Sequence, residues 1–321
     1  MPVRAVTDEE ILALRPKKLS LDPWVPSAFL VEPERAATGS IESVATIFLT
    51  NKECPFRCTM CDLWRYTLDE RVPVGAIPAQ IDYALERLTA AQHVKLYNAG
   101  NFFDAQAIPP EDYSAIADRV RGFKTVIVEN HPRLTDERCL RFRDLLGTRL
   151  EVALGLETVH PEVLPNLNKR MTIEDFDRAA EFLRGNQIDV RAFVLLKPPG
   201  LNERDGIEWS LRSISHAFAA GAGCCSVIPT RAGNGYLDRL QSVGDFQPPT
   251  IRSMEEVLER AIPLQRGRVF MDLWDVEKFF DCQACGPARA DRIRQTNLSQ
   301  QVQPAIQCCS CPTDKRVPTA Q

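Results

Sequence analysis

No stretch of this 321-residue chain is apolar for the roughly 18 consecutive residues that a membrane-crossing helix needs. Residues 1–14 carry Asp8, Glu9 and Glu10 and no apolar core, so a secretory signal is not expected. A basic excess is also missing. Lys and Arg total 39 against 43 Asp and Glu, for a net charge of −4. That argues against a broad electrostatic footprint for nucleic acid, though not against a local basic patch. There is no repeat of fixed period and no low-complexity tract. No G-x-G-x-x-G follows the first predicted strand, which leaves a doubly wound dinucleotide-binding sheet without its usual support. Cysteine, by contrast, is abundant. Eleven thiols, an odd number, in a chain without a secretory signal point to metal ligands in a reducing compartment rather than disulfides. A cytoplasmic location with no membrane contact is therefore expected.

Three of these cysteines form Cys54-Pro55-Phe56-Arg57-Cys58-Thr59-Met60-Cys61, with the spacing C-x3-C-x2-C. The run leaves an apolar segment, Val44 to Leu49, that reads as a strand. A cubane 4Fe–4S cluster needs one ligand for each of four irons, and this loop supplies three soft sulfurs. The fourth iron is left for a small molecule. A structural zinc site is the alternative, but zinc ligands usually come as two distant C-x2-C pairs.

Short apolar runs then alternate with helical ones. Strands are expected at Val44–Leu49, Val94–Tyr97, Thr125–Val128, Leu150–Leu156, Val190–Leu196 and Cys225–Ile228. Helices are expected at Ala79–Leu88, Tyr113–Val120, Asp136–Leu146, Ile173–Leu183, Glu203–Ala219 and Ser253–Ile262. Such units predict an α/β fold with a parallel sheet covered on both faces, a partial (β/α)6 relative of the TIM barrel. Three segments follow: an N-terminal strap over 1–42, a core over 43–265 and a cysteine-rich extension over 266–321. In the strap, Thr7 caps a short helix that Pro16 ends, and the later prolines keep the chain irregular or extended. Arg268–Asp275 is a candidate for a further strand at the open edge of the barrel.

Functional groups of such barrels gather at the C-terminal ends of the strands. There the chain places Asn98-Ala99-Gly100-Asn101, Glu129, Glu157, Lys197 and the Gly-rich turn Ile228 to Gly235 with Arg231. Glu129 and Lys197 are the acid–base candidates toward substrate. His131, next to Pro132, reads as structural, and Cys139, Cys224 and Cys225 read as core residues.

The C-x3-C-x2-C loop, with apolar Met60 before its last cysteine, resembles the signature of the radical S-adenosylmethionine (SAM) superfamily. "EVALGLET", "NKRMTIEDF" and "VLLKPPGLNE" resemble the branch containing the archaeosine synthase radical SAM subunit, with the catalytic subunit of Elongator a more distant relative. The likeness covers about residues 43–235. It implies a 4Fe–4S cluster on Cys54, Cys58 and Cys61, with SAM chelating the fourth iron. It implies SAM contacts near Met60, Asn98, Gly100, Asn101, Glu157, Ile228 and Arg231. Where such enzymes usually carry Gly-Gly-Glu, this chain has Asn98-Ala99-Gly100-Asn101. The resemblance further implies reductive cleavage of SAM to a 5′-deoxyadenosyl radical, and an electron donor such as flavodoxin or ferredoxin. The substrate stays unknown, with a modified nucleoside in tRNA as the candidate. In the archaeosine case the radical cleaves a carbon–carbon bond in a lysine-modified deazaguanine of tRNA. Neither an appended RNA-binding module nor an acetyltransferase domain is recognisable.

Near the C-terminus, Cys282-x2-Cys285 and Cys308-x2-Cys311 form two pairs that can clamp one tetrahedral ion. Zinc and an auxiliary Fe–S cluster both suit four thiolates. Two rival readings use the same cysteines: a non-catalytic zinc-binding or nucleic-acid-binding adaptor, and an Fe–S electron carrier without SAM.

Overall fold

The computed structural model describes residues 6–311. The outermost parts of the expected strap and extension, residues 1–5 and 312–321, lie outside the described residues. In chain order the elements are α1 (Asp8–Leu14), β1 (Ala28–Arg35), β2 (Ile41–Phe48), α2 (Ala76–Leu85), β3 (His93–Tyr97), α3 (Tyr113–Val120), β4 (Thr125–Asn130) and α4 (Glu137–Leu146). They continue with β5 (Arg149–Glu157), the short α5 (Val163–Asn166), α6 (Ile173–Gly185), β6 (Asp189–Leu196), α7 (Glu203–Ala219), β7 (Cys224–Pro229), α8 (Tyr236–Ser242), α9 (Ile251–Ala261), β8 (Arg268–Met271) and α10 (Gly286–Ser299). The strands form one sheet in the order β1 to β8. β2 through β8 run parallel, and β1 pairs antiparallel with β2.

The α/β half-barrel expected from the alternation is present, with its six core strands at β2 to β7. The sheet is wider than six strands at both edges. β8 is the extra strand anticipated at Arg268–Asp275. Of the irregular or extended strap, residues 28–35 take the extended form as β1, with Pro33 opposite Ser43 in an edge strand. An edge tolerates a residue that cannot donate to the ladder. α2 begins three residues earlier than expected because Pro78 falls within its first turn, where no intrahelical N–H is needed.

Apolar side chains of β2 to β8 pack outward against the helices in one continuous core, including Ile47, Leu96, Val128, Leu154, Val194 and Val269. Cys139 and Cys225 belong to it, and Cys224 is equally buried, as expected of small apolar residues.

The concave side is different. At the N-terminal end of the parallel strands, Arg191 of β6 donates to Glu151 of β5 at 2.5 Å and to Glu34 of β1 at 2.6 Å. Glu34 also takes Lys95 of β3 at 2.5 Å, and Glu151 takes Arg268 of β8 at 3.3 Å. These five charges join β1, β3, β5, β6 and β8 across the barrel interior. Burial alone would raise both carboxyls, but Arg191 with Lys95 or Arg268 holds each of them low. The network closes that end of the barrel.

Candidate cluster and cofactor site

The three-cysteine loop leaves β2 at the opposite, C-terminal end, and four other segments pin it. Thr59 N–H donates to the Leu167 carbonyl at 2.9 Å. The Asn168 amide donates to the Arg57 carbonyl at 2.7 Å, and the Asn234 amide to the Thr59 carbonyl at 2.7 Å. The Asn101 amide donates to Cys54 Sγ at 3.2 Å. The strap adds Arg15 and Lys18, both paired with Glu53 next to Cys54, at 2.7 and 2.5 Å. Arg15 also lies over the ring of Trp64. A loop fixed from so many sides presents its sulfurs with little conformational freedom left to lose on binding. Burial raises the thiols of Cys54, Cys58 and Cys61, that of Cys58 to about 12, so a metal must displace their protons.

Beside this loop the end of β3 is built for close approach. A Cβ on Gly100 would lie 3.4 Å from Cys54 Cβ, and Ala99 holds a positive φ of 49°. Asn98 is fully buried, and neither its amide nitrogen nor its oxygen has a hydrogen-bond partner among the described residues. Unpaired buried amides are costly, and a water or a bound polar ligand beside Asn98 would complete its bonding. Glu129 reaches over from β4: its carboxylate accepts from Asn98 N–H at 2.6 Å and Gly100 N–H at 3.3 Å. Burial pushes Glu129 up to about 7 against the pull of those amides. The expected acid–base residue is thus bonded to the backbone of the Asn98 turn.

Glu157 ends β5 with φ at 64°, and its Oε1 accepts from Lys169 Nζ at 2.6 Å, both groups being buried. A Cβ on Gly155 would meet the ends of these two side chains, so a larger residue there would have to displace the pair. Burial works against the Lys169 charge, but Glu157 and then Cys58 hold the ammonium above its usual range. Sequence reasoning passed over Lys169, although it stands inside the "NKRM" segment. His131 stacks on Phe56 at 3.9 Å, bonds the Lys169 carbonyl and is pressed down to about 3 by burial, a neutral structural role.

Met60 and Ile228 meet in one small apolar cluster with Leu167 and Leu195. Arg231 faces Asp62, next to Cys61, at 3.4 Å and Asp272, beyond β8, at 3.7 Å. Thr230, 3% exposed, has an unpartnered hydroxyl among the described residues. Lys197 is placed otherwise. With φ at 52° it donates to Glu203 at 2.5 Å and to the Pro248 carbonyl at 3.2 Å, fastening the turn before α7. Its ammonium is engaged by that turn, away from the three thiols.

The second thiol group lies at the start of α10. The sulfurs of Cys282, Cys285, Cys308 and Cys311 are all within 4.8 Å of one another. The backbone N–H of Cys285 helps hold the Cys282 thiol down to about 7. This group could hold a metal ion.

Residues 49–210, about half of the chain, match the radical SAM superfamily. The chain belongs to that superfamily. Among the relatives of this radical SAM protein is the archaeosine synthase subunit beta of Methanosarcina acetivorans, 29% identical over 76% of this chain and 74% of the relative. The archaeosine synthase subunit beta of Thermococcus kodakarensis is 27% identical over 65% of this chain and 68% of the relative. An archaeal Elp3 from Methanocaldococcus infernus shares the fold, with a TM-score of 0.52 at 16% identity. That match covers 79% of this chain and 63% of the Elp3 chain. The superfamily implies SAM and a 4Fe–4S cluster. The three-thiol loop fits such a cluster, and the buried Asn98 amide beside it fits a polar ligand next to the cluster. Among the described residues no helix is long and apolar enough to cross a membrane.

Proposed function

We propose that this protein is a radical SAM enzyme whose cluster is held by Cys54, Cys58 and Cys61. When bound, cluster and SAM together supply a 5′-deoxyadenosyl radical that abstracts hydrogen from substrate. The observation that carries the reading is the pinned three-thiol loop set against a buried, unpartnered Asn98 amide. The chain's own residues bind and orient. Asn98, Gly100 and Asn101 offer backbone and amide groups toward the amino-acid end of SAM. Glu129 holds that turn in shape from behind. Lys169 and Glu157 set a buried charge pair beside the thiols. Met60 and Ile228 give an apolar wall, and Arg231 keeps the 228–231 turn against Asp62. The strap, through Arg15 and Lys18 on Glu53, shields the loop from water.

The substrate we favour is a modified nucleoside of tRNA, the reading supported by relatives named archaeosine synthase subunit beta. The protein then needs a reductant such as flavodoxin or ferredoxin and works in the cytoplasm. The tail thiols hold zinc in this reading. A zinc–sulfur bond of about 2.3 Å gives a tetrahedral edge of about 3.8 Å, close to the 3.6 Å between the Cys285 and Cys311 sulfurs. A cubane spreads its thiolates farther, one to each iron.

Metal and sulfide content of anaerobically purified protein, beside a Cys54→Ala/Cys58→Ala/Cys61→Ala variant, tests this. About four irons and one zinc are expected, with the iron lost in the variant. Reconstituted wild type given dithionite should release 5′-deoxyadenosine. Zinc alone in the wild type would sink the radical reading and leave a zinc-binding adaptor.

A further inference from the structure

The half-barrel has an unsealed seam. Among the described residues β1 and β8 end the sheet on either side and do not pair with each other. Arg268 reaches from β8 to the Arg35 carbonyl of β1 at 3.1 Å. Helix α10 packs against both edge strands. Its contact with β8 has the form of a strand. Asn297 accepts from Met271 N–H at 3.0 Å and donates to the Met271 carbonyl at 2.8 Å. Gln300 accepts from Val269 N–H at 2.8 Å and donates to the Val269 carbonyl at 2.9 Å. Two side-chain amides, one in the last turn of the helix and one on its C-cap residue, thus satisfy residues i and i+2 of the strand. They occupy the edge that a ninth strand would otherwise take.

The other end of α10 is where the tail thiols converge. Cys285 is its N-cap residue, and Arg289, one turn later, donates to Cys285 Sγ at 3.3 Å and pairs with Glu255 of α9. Arg292 pairs with Glu255 at 3.0 Å and donates to the carbonyls of Gln303 and Pro304, in the segment that returns to Cys308. Arg289 is therefore shared between the thiol group and α9, and Arg292 ties α9 to the returning chain. Such hydrogen bonds to metal ligands orient the ligands and, in turn, are held by them.

We infer that one zinc ion on Cys282, Cys285, Cys308 and Cys311 is the latch that holds α10 across the seam, so that the edge of β8 stays sealed only while the ion is bound. The inference rests on the zinc reading of the tail. It assigns the ion a task at the barrel wall, away from the chemistry at Cys54. β8 leads directly to Asp272 and Trp274. Arg231 faces Asp272 at 3.7 Å and the Trp274 carbonyl at 3.4 Å, so a loosened β8 edge also loosens one support of the turn beside Asp62.

The test is backbone hydrogen exchange of the full chain, zinc-loaded and after zinc removal by a chelator, with zinc content measured on the same samples. Exchange at Val269 and Met271 should rise at least about tenfold on removal, with β4 and β5 unchanged. An Asn297→Ala/Gln300→Ala variant should keep its zinc and show the same rise at Val269 and Met271. Unchanged protection of these two amides in the zinc-free protein, or in that variant, overturns the latch while leaving zinc in place. Exchange that rises equally in β4 and β5 also overturns it, since the ion would then hold the whole fold. Iron and sulfide on the tail thiols, retained in the Cys54→Ala/Cys58→Ala/Cys61→Ala variant, would overturn the zinc reading itself.

Discussion

Replacing Arg191 with Met should cost this protein about 3 kcal/mol of stability at neutral pH. The guanidinium is 2% exposed and bridges two carboxylates, Glu34 at 2.6 Å and Glu151 at 2.5 Å. Breaking a buried pair by removing one partner typically costs about 3–5 kcal/mol, because the remaining charge is left uncompensated. The lower end applies here. Glu34 keeps Lys95 at 2.5 Å, and Glu151 keeps Arg268 at 3.3 Å. The pH dependence carries a sign. In the wild type both carboxyls are depressed, so their contribution is present above about pH 4.5 and is lost as pH falls through the folded values. In Arg191→Met each buried carboxyl is left with one cation in place of two, which lets its value rise from the depressed one. The deficit should therefore be full at pH 7.5 and shrink toward pH 5, where the carboxyls take up protons. Urea unfolding of wild type and variant at both pH values, zinc-loaded and free of iron, measures this. A deficit under about 1 kcal/mol, or one that grows with acid, would refute the reasoning.

Glu129→Gln should stabilise the iron-free protein at pH 8 and leave it unchanged at pH 4. The folded value near 7 lies above the ordinary 4.5, so stability is lost as pH rises between the two. The side chain is partly accessible, which reduces the gain to about 1–3 kcal/mol. Urea midpoints across that range check the sign. Lys169→Met removes a buried cation near Cys54 and Cys58, so the reconstituted cluster should become harder to reduce, with its potential moving negative in an EPR-monitored titration. Gly155→Ala drives a methyl into the Lys169–Glu157 pair and should cost about 1–3 kcal/mol, seen as a lowered melting temperature.

Much of the fold is legible in residue order, because each core strand is a short apolar run flanked by amphipathic helices. Tyr113–Val120 and Glu203–Ala219 begin and end where their patterns do. What periodicity misses is the edge. β1 contains Pro33, and its face toward the barrel carries Glu34, a residue that reads as surface until the charges opposite it are known. The site divides similarly. Cysteine spacing is local and readable. The Lys169–Glu157 pair spans 12 residues and the Asn234 anchor of the cysteine loop spans 175, and nothing local announces either. Lys197 is a charged residue at a strand end whose partner, Glu203, lies only six residues on and fastens the following turn.

The charged closure at the base of the barrel makes the interior a cul-de-sac. The cysteine loop stands at the other end of the same strands, so the charged floor and the three thiols bound the interior from its two ends.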